Sequence, residues 1–207
     1  MRSDPGENRQ TQILDFWFGE LEEGGVPPEA LSRMWWAKDE KTDERIRVNF
    51  ESDLINAREG RLREWERSPR ATLALIILLD QFSRNIYRGK PGAFTQDRQA
   101  LNLSLRGVER GFDKELHPVM RVFFYMPFMH SEDLDIQERS IVLFAALEML
   151  FPAPPALSEM LSSNRDYAQR HYAIIERFGR YPHRNSILGR ESTAEEIEFL
   201  KQPGSSF

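Results

Sequence analysis

The chain has 207 residues, a net charge of −5 and no cysteine, and its length favours a single domain with one core. The lack of cysteine excludes thiol catalysis, disulfides, iron–sulfur clusters and cysteine-ligated zinc, and the acidic charge disfavours nucleic acid as a partner. No apolar run approaches the roughly 20 residues that span a bilayer, and the polar start MRSDPGENRQTQ contains no apolar signal segment. We therefore expect a cytoplasmic protein without a membrane partner.

The predicted elements are helices that follow one another along the chain. Apolar residues recur with the 3.6-residue period of a helix, and no segment alternates with the period of a strand. Helices are predicted at about residues 9–18, 31–37, 40–59, 68–82, 93–110, from 118 to a break or kink at Pro127, 131–151, 157–178 and 192–200. The short turns between them predict an all-α domain of about eight helices arranged as antiparallel pairs. Its ordered core is expected at about residues 9–200, with flexible termini.

Several local signals sharpen this prediction. The run Leu73–Leu79 is apolar on all sides, so its helix is expected to be central and buried and to end at Phe82 before a loop. Gly107 lies inside a predicted helix, where glycine is unfavourable, and therefore indicates a close approach of a second helix. Ser192 and Glu195 have the spacing of a capping box. The proline cluster at 152–155 is predicted to separate two helices.

A first polar cluster follows the most apolar helix and contains Asp80, Gln81, Arg84 and Asn85. A carboxylate at the end of such a helix meets both desolvation and the negative end of the helix dipole. Asp80 must therefore find a cation or take up a proton, and Arg84 lies within reach if the helix continues. The cluster is consistent with either a structural ion pair or a functional site.

A second cluster contains His130 and Glu132, close to the predicted start of a helix. The positive end of the helix dipole would keep the imidazole of His130 neutral, which suits a general base or a hydrogen-bonding group. The alternative is a histidine that caps the turn after Pro127.

A third cluster lies between two late helices and contains Arg180, His183, Arg184 and Asn185. Four arginines fall between Arg177 and Arg190, and guanidinium groups match the geometry of carboxylates and phosphates. These arginines are therefore expected either to converge on one anion or to pair with carboxylates of the protein.

Histidine and glutamate could in principle hold a metal, but the spacing of the candidates is not typical of any metal site. The residues concerned are His130, Glu132, His171 and His183. His171 falls on the apolar stripe of its helix, so we expect a buried, hydrogen-bonded core residue whose loss lowers stability more than ligand affinity. No sequence motif for zinc, phosphate, dinucleotide or a nucleophilic serine occurs. We expect neither a metal nor a cofactor.

Three long motifs occur in order along the chain, namely LALIILLDQFSRN at 73–85, FFYMPFMHSE at 123–132 and RFGRYPHRNSILGREST at 177–193. Together they resemble the bacterial domain-of-unknown-function family 924, and the likeness extends from about Ile13 to Leu200. Ser83 is a departure, because the family usually has proline after the DQF triplet. The resemblance implies a tetratricopeptide-like, solenoid-type helical array and implies no reaction. A clean 34-residue repeat is not visible in the sequence.

Two functions remain open at this point. The first is a binding module whose polar groove, lined by arginine and histidine, holds a peptide or a small anionic ligand. The alternative is a small-molecule enzyme, hydrolase-like, with His130, His183 or Asp80 as candidate catalytic residues. In both cases Asp80 or Arg84 is expected to share a pocket with the loop 180–185, with at least one of Arg180, His183 or Arg184 within direct hydrogen-bond reach. A compact polar site would favour the enzyme and a broad groove the binding module, while the sequence leaves the oligomeric state open.

Overall fold

A computed structural model describes residues 5–150 and 154–206 of the chain, and these contain helices and no strand. The all-α prediction is confirmed, with more helical segments than the eight or so expected. The α-helices are α1 (Pro5–Phe18), α2 (Glu29–Trp36), α3 (Glu40–Arg58), α4 (Pro69–Ile76), α5 (Ser83–Ile86), α6 (Asp97–Glu109), α7 (Pro118–Met129), α8 (Leu134–Leu150), α9 (Pro155–Phe178), α10 (Asn185–Leu188) and α11 (Ala194–Leu200). The predicted helix end at Phe151 and most of the proline cluster lie outside the described residues, as do residues 1–4.

Local capping chemistry explains most of these boundaries. The side chain of Asp39 accepts hydrogen bonds from two backbone N–H groups at the start of α3. Gly179 ends α9 with a φ of 66°, a left-handed conformation that glycine adopts without strain. The capping box of α11 is formed by Thr193 and Glu196 rather than by Ser192 and Glu195, because the helix begins one residue later than predicted.

The central helical stretch continues beyond its predicted end at Phe82. Helix α4 passes into a π-helical segment, Ile77–Phe82, and then directly into α5. The hydroxyl of Ser83 donates to the carbonyl of Leu79, so a residue with loop character in the sequence is accommodated inside the helix. Asp80 therefore lies within a continuous helical stretch and not at a helix end.

The core forms around this central stretch, since α4 packs against α1, α6 and α7 and the π segment packs against α3. Helix α7 is buried along its whole length, continues through Pro127 and packs against α6 and α8. Helix α8 in turn packs on α9. The late loop and α11 bury a smaller apolar cluster that includes Ile174, Ile175 and Tyr181.

None of the described helices combines the length and the apolarity that crossing a membrane requires.

Gly107 marks the predicted close approach, which lies between α6 and α7. A Cβ atom at this position would lie 2.3 Å from Cζ of Phe124, a ring that is fully buried. We expect Gly107→Ala to destabilise the protein by about 2 kcal/mol, because overpacking of about 3 kcal/mol exceeds the roughly 1 kcal/mol that alanine gains over glycine in a helix. Urea unfolding measures this difference. Adding Phe124→Leu should recover part of the loss, and a more stable Gly107→Ala protein would contradict the close approach.

Candidate functional site

Asp80 is the most deeply buried charged group of the site, with no exposed surface. The π-helical segment carries it, and π turns inserted in α-helices occur frequently at functional sites. Arg84 lies in the next turn, with Nη1 3.1 Å from Oδ1 of Asp80, while the amide of Gln81 donates to Oδ2 at 2.5 Å. Burial alone would raise the pKa of Asp80, but Arg84 and the hydrogen bonds from His130 and Gln81 outweigh it and hold the pKa below its ordinary value.

His130 completes the environment of Asp80. Its Nδ1 lies 2.7 Å from Oδ1 of Asp80, and because the carboxylate is ionised, Nδ1 carries the proton and donates it. The lone pair of the neutral ring is then on Nε2, the nitrogen that faces away from Asp80. Burial lowers the pKa of His130, and Arg84 acts in the same direction against the opposing effect of Asp80. The side chain is 15% exposed, so the pair joins a buried carboxylate to a partly accessible base.

The prediction that His130 lies at the start of a helix is wrong. His130 is the residue that ends α7, with its backbone N–H bonded to the carbonyl of Met126, whereas α8 begins at Leu134. Burial and Arg84, rather than a helix N-terminus, therefore keep the imidazole neutral.

The first and third clusters meet through Asp97, the first residue of α6. Arg84 donates to both carboxylate oxygens of Asp97 at 3.0 Å, and Arg184 donates to Oδ2 at 3.2 Å. Arg184 also donates to the carbonyl of His130 at 3.1 Å. The predicted proximity of Asp80, Arg84 and the 180–185 loop is thus present, but Arg184 is connected to them through Asp97 and His130 and not by the direct hydrogen bond that was predicted.

Phe94 provides an aromatic surface for both guanidinium groups. Its ring centroid lies 4.7 Å from Cζ of Arg184 and 5.7 Å from Cζ of Arg84. Contacts of this kind stabilise a cation that is partly removed from water. The two arginines are therefore held in fixed positions by Asp97 and by the ring.

Glu132 fastens the third cluster to the end of α7. It accepts from the backbone N–H of Tyr181 at 2.8 Å and from both terminal nitrogens of Arg190 at 2.7 and 2.9 Å. Burial would raise the pKa of Glu132, but the hydrogen bonds from Arg190 and from the backbone lower it. Glu132 therefore has a structural role, because its charge is already paired with that of Arg190.

The remaining arginines of the third cluster also pair with carboxylates. Arg180 binds Glu196 through Nε at 2.7 Å and Nη2 at 2.8 Å, and Arg177 binds Glu195. Asn185 is fully buried and donates to Ser192 and Glu196 on the same side of the loop. The carboxylate-pairing alternative for these arginines is therefore the one found in the structure.

Asn85 is directed away from the rest of the first cluster. Its amide donates to Asp43 of α3 at 2.8 Å, and Arg88 donates to the same carboxylate. Asn85 therefore connects the central stretch to α3 and is separate from the His130 site.

Two histidines contact the buried ring of Tyr181, whose centroid lies 5.6 Å from that of His171 and 5.5 Å from that of His183. His171 is 5% exposed, its Nδ1 lies 2.8 Å from the carbonyl of Tyr167, and its ring centroid lies 6.2 Å from that of His130. The prediction of a buried, hydrogen-bonded His171 is thus confirmed. Burial lowers its pKa to about 3, assisted by His130. Burial, with Arg184, lowers the pKa of His183 to about 4.

Within the described ranges, no group of three or more histidine and carboxylate side chains has the arrangement of a metal site. Each of the two ion pairs, Asp80–Arg84 and Asp97–Arg184, has no net charge. The cluster therefore offers one neutral imidazole, held by a carboxylate, in a compact and charge-compensated environment. Proton transfer at His130 is the chemistry that this arrangement can perform.

Sequence reasoning missed three residues that hold the site together, namely Asp97, Gln137 and Tyr181. Gln137 donates to the carbonyls of Met129 and Ser131, which flank His130, at 2.7 and 2.6 Å. Tyr181 donates to the carbonyl of Met129 at 2.6 Å. A carboxylate at a helix start, as at Asp97, is common enough that the sequence contains no signal of its role.

Two comparisons with known proteins match most of this chain. The solved structure of a protein of unknown function from Agrobacterium tumefaciens, ATU0120, is 33% identical to this chain and has a TM-score of 0.78. The match covers 94% of this chain and 98% of that protein. No curated protein is significantly similar to the chain. The family model for bacterial proteins of unknown function, DUF924, matches residues 13–204, and the chain therefore belongs to this family.

Proposed function

We propose that this protein is a small-molecule enzyme of the hydrolase type in which His130 is the general base. The observation that carries the proposal is the 2.7 Å contact between the fully buried Asp80 and Nδ1 of His130. A carboxylate in this position fixes the tautomer and the orientation of the ring, as in other enzymes that use a carboxylate–histidine pair.

The environment of His130 supports this role. The carbonyls before and after it accept from Gln137, and its own carbonyl accepts from Arg184, so the backbone that carries the ring is held on both sides. A lowered pKa keeps the ring in its basic form at neutral pH. The polar residues also form a compact cluster, which favours a small-molecule enzyme over a protein with a broad peptide-binding groove.

In the proposed reaction, Nε2 of His130 removes a proton from water as the water oxygen attacks an electrophilic carbon or phosphorus of the substrate. The bond to the leaving group then breaks, and the imidazolium returns its proton to the leaving-group oxygen or nitrogen. Asp80 stays ionised throughout and stabilises the positive ring. Arg84 holds Asp80 by direct contact and Arg184 holds the carbonyl of His130, while Asp97 pairs with both arginines.

The test is hydrolysis of a panel of 4-nitrophenyl esters and phosphate esters by the native protein and by His130→Gln. General-base catalysis contributes about 10²–10⁴-fold, so we expect kcat/KM to fall at least a hundredfold in the variant. The remaining activity should lose the pH dependence that the imidazole imposes. An active protein whose hydrolysis of every substrate is unchanged by His130→Gln would contradict the proposal.

His117→Gln is the matched control, because it removes a histidine from the opposite end of the same helix. His117 begins α7 and His130 ends it, a separation of about 20 Å at 1.5 Å per residue. His117→Gln should hydrolyse the panel at the native rate. Far-UV circular dichroism checks that both variants are folded.

A second candidate function is a binding module for a peptide or a small anionic ligand. One observation favours it, since Nε of the buried Arg184 has no hydrogen-bond partner among the described residues. This second proposal includes a tetratricopeptide-like arrangement of the helices. Such arrays present concave binding surfaces, and α6, α7 and α8 each pack on the helix that follows in the chain. Sulfate should then raise the melting temperature, and Arg184→Ala should abolish the increase. In either case we propose that the protein acts in the cytoplasm.

A further inference from the structure

A separate cavity of about 260 Å³ lies between the end of α3, the 3₁₀ turn Arg63–Arg67, α4 and α6. Its apolar lining includes Leu75 and Leu103, each with 3% of its surface exposed, while Leu79 lies behind them with no exposed surface. None of the residues around Asp80 and His130 that form the proposed catalytic site lines it. The cavity is therefore a second concave surface with its own chemistry.

The charges on this cavity are unequal. Arg58, Arg63 and Arg106 contribute three positive groups, and Glu59 and Glu66 contribute two negative ones. Glu66 pairs with Arg106 at 2.7 Å, and Glu59 pairs with Arg61, which lies outside the cavity. Two guanidinium groups, those of Arg58 and Arg63, are left without a carboxylate.

Arg58 is held in place by neutral groups only. Its Nη1 lies 3.5 Å from the hydroxyl of Tyr87, and its Nε donates to the side-chain oxygen of Gln96 at 2.9 Å in the amide orientation that satisfies both groups. These contacts restrict the side chain without cancelling its charge. The guanidinium is therefore preorganised for an anion.

Arg63 makes no hydrogen bond or ion pair with any residue in the described part of the chain. Its Nε would lie 3.2 Å from a Cβ atom at position 60, so the side chain folds back across Gly60, where φ is +71°. The glycine both permits the turn at the end of α3 and leaves room for the guanidinium. The guanidinium group of Arg63 can therefore bind an oxyanion, although the protein as a whole has a net charge of −5.

Two carbonyls at the end of α3 already accept hydrogen bonds from other groups of the protein. The carbonyl of Ala57 accepts from Gly60 and from the amide of Gln99 at 3.0 Å each, and the carbonyl of Asn56 accepts from Arg61. These donors reduce the negative potential that the end of α3 directs towards the cavity.

We propose that this cavity binds a small organic oxyanion, with the charged group held by Arg58 and Arg63 and the apolar part against Leu62, Leu75 and Leu103. The inference is independent of the proposed function at His130. The volume accommodates a ligand with a single ring or a short acyl chain and is small for a typical drug-sized ligand.

The experiment is an NMR titration of the native protein with phenyl phosphate, benzoate, inorganic phosphate and benzyl alcohol. Phenyl phosphate or benzoate should shift the side-chain amide signals of Gln99 and Asn102 and bind at least tenfold more tightly than inorganic phosphate and benzyl alcohol. Preference between the first two compounds distinguishes a phosphate from a carboxylate as the natural group. Absence of binding by both aromatic anions at 10 mM would overturn the proposal.

The variant Arg58→Gln/Arg63→Gln removes both unpaired charges, and we expect it to bind the aromatic anion at least tenfold more weakly. Both side chains are exposed, so the variant is expected to fold, and Arg63→Gln alone gives a second reading with a smaller loss. Arg61→Gln is the matched control, because it removes the same charge from the same segment outside the cavity. Equal weakening in Arg61→Gln would indicate unspecific attraction and overturn the site, while unchanged affinity in His130→Gln is expected.

Discussion

Asp80→Asn is expected to destabilise the protein by about 3–5 kcal/mol, the usual cost of removing one partner from a buried ion pair. The carboxylate has no exposed surface and accepts from Arg84, His130 and Gln81. Without it, the amide that replaces Oδ1 or Oδ2 faces another donor, and Arg84 loses one of its two negative partners. Urea or thermal unfolding monitored by circular dichroism measures the loss.

Two comparisons isolate the buried charge as the cause. Glu195→Gln removes a carboxylate from the exposed pair with Arg177, where both side chains are about half exposed, and should change stability by less than about 1 kcal/mol. The double variant Asp80→Asn/Arg84→Met should be more stable than Asp80→Asn, because Asp97 then pairs with Arg184 and no charge is left unbalanced. An Asp80→Asn protein within about 1 kcal/mol of the native stability would show that the buried charge is dispensable.

The free energy of unfolding is expected to decrease as the pH falls from 7 to about 4.5. Burial lowers the pKa of His171 to about 3 and that of His183 to about 4, and the pKa of His130 is lowered as well. The unfolded chain takes up these protons near pH 6.5 and the folded chain does not. The stabilisation is therefore complete above pH 6.5 and is lost below it, by about 2 kcal/mol at pH 5 for His171 alone.

The carboxylates act in a lower pH window and can be separated from the histidines. The pKa values of Asp80 and Glu132 lie below their ordinary values, so their contribution is present above about pH 4.5 and lost only as the pH falls further. Unfolding titrations at pH 7, 6 and 5 should give a shallower slope for His171→Gln, with a smaller change for the half-buried His117→Gln. A native stability that is constant from pH 7 to 5 would refute the histidine effect.

Helix positions were predictable where the signal is local. Helix α3 was expected at 40–59 and is found at Glu40–Arg58, and α9 was expected at 157–178 and is found at Pro155–Phe178. In both, apolar periodicity and a capping residue agree. The prediction failed at Phe82, because the polar residues Ser83 and Asn85 resemble a loop but find partners at Leu79 and Asp43 that keep the chain helical.

The sequence by itself determined that the domain is helical and that Asp80 needs a partner, because periodicity and desolvation are properties of a short segment. Only the tertiary structure decided which partners meet. Arg184 reaches Asp97 across 87 positions of the chain, and Arg190 reaches Glu132 across 58. An ion pair forms between whichever opposite charges the packed helices bring within about 4 Å, so the fold paired the arginines of the late loop with carboxylates and placed His130 against Asp80.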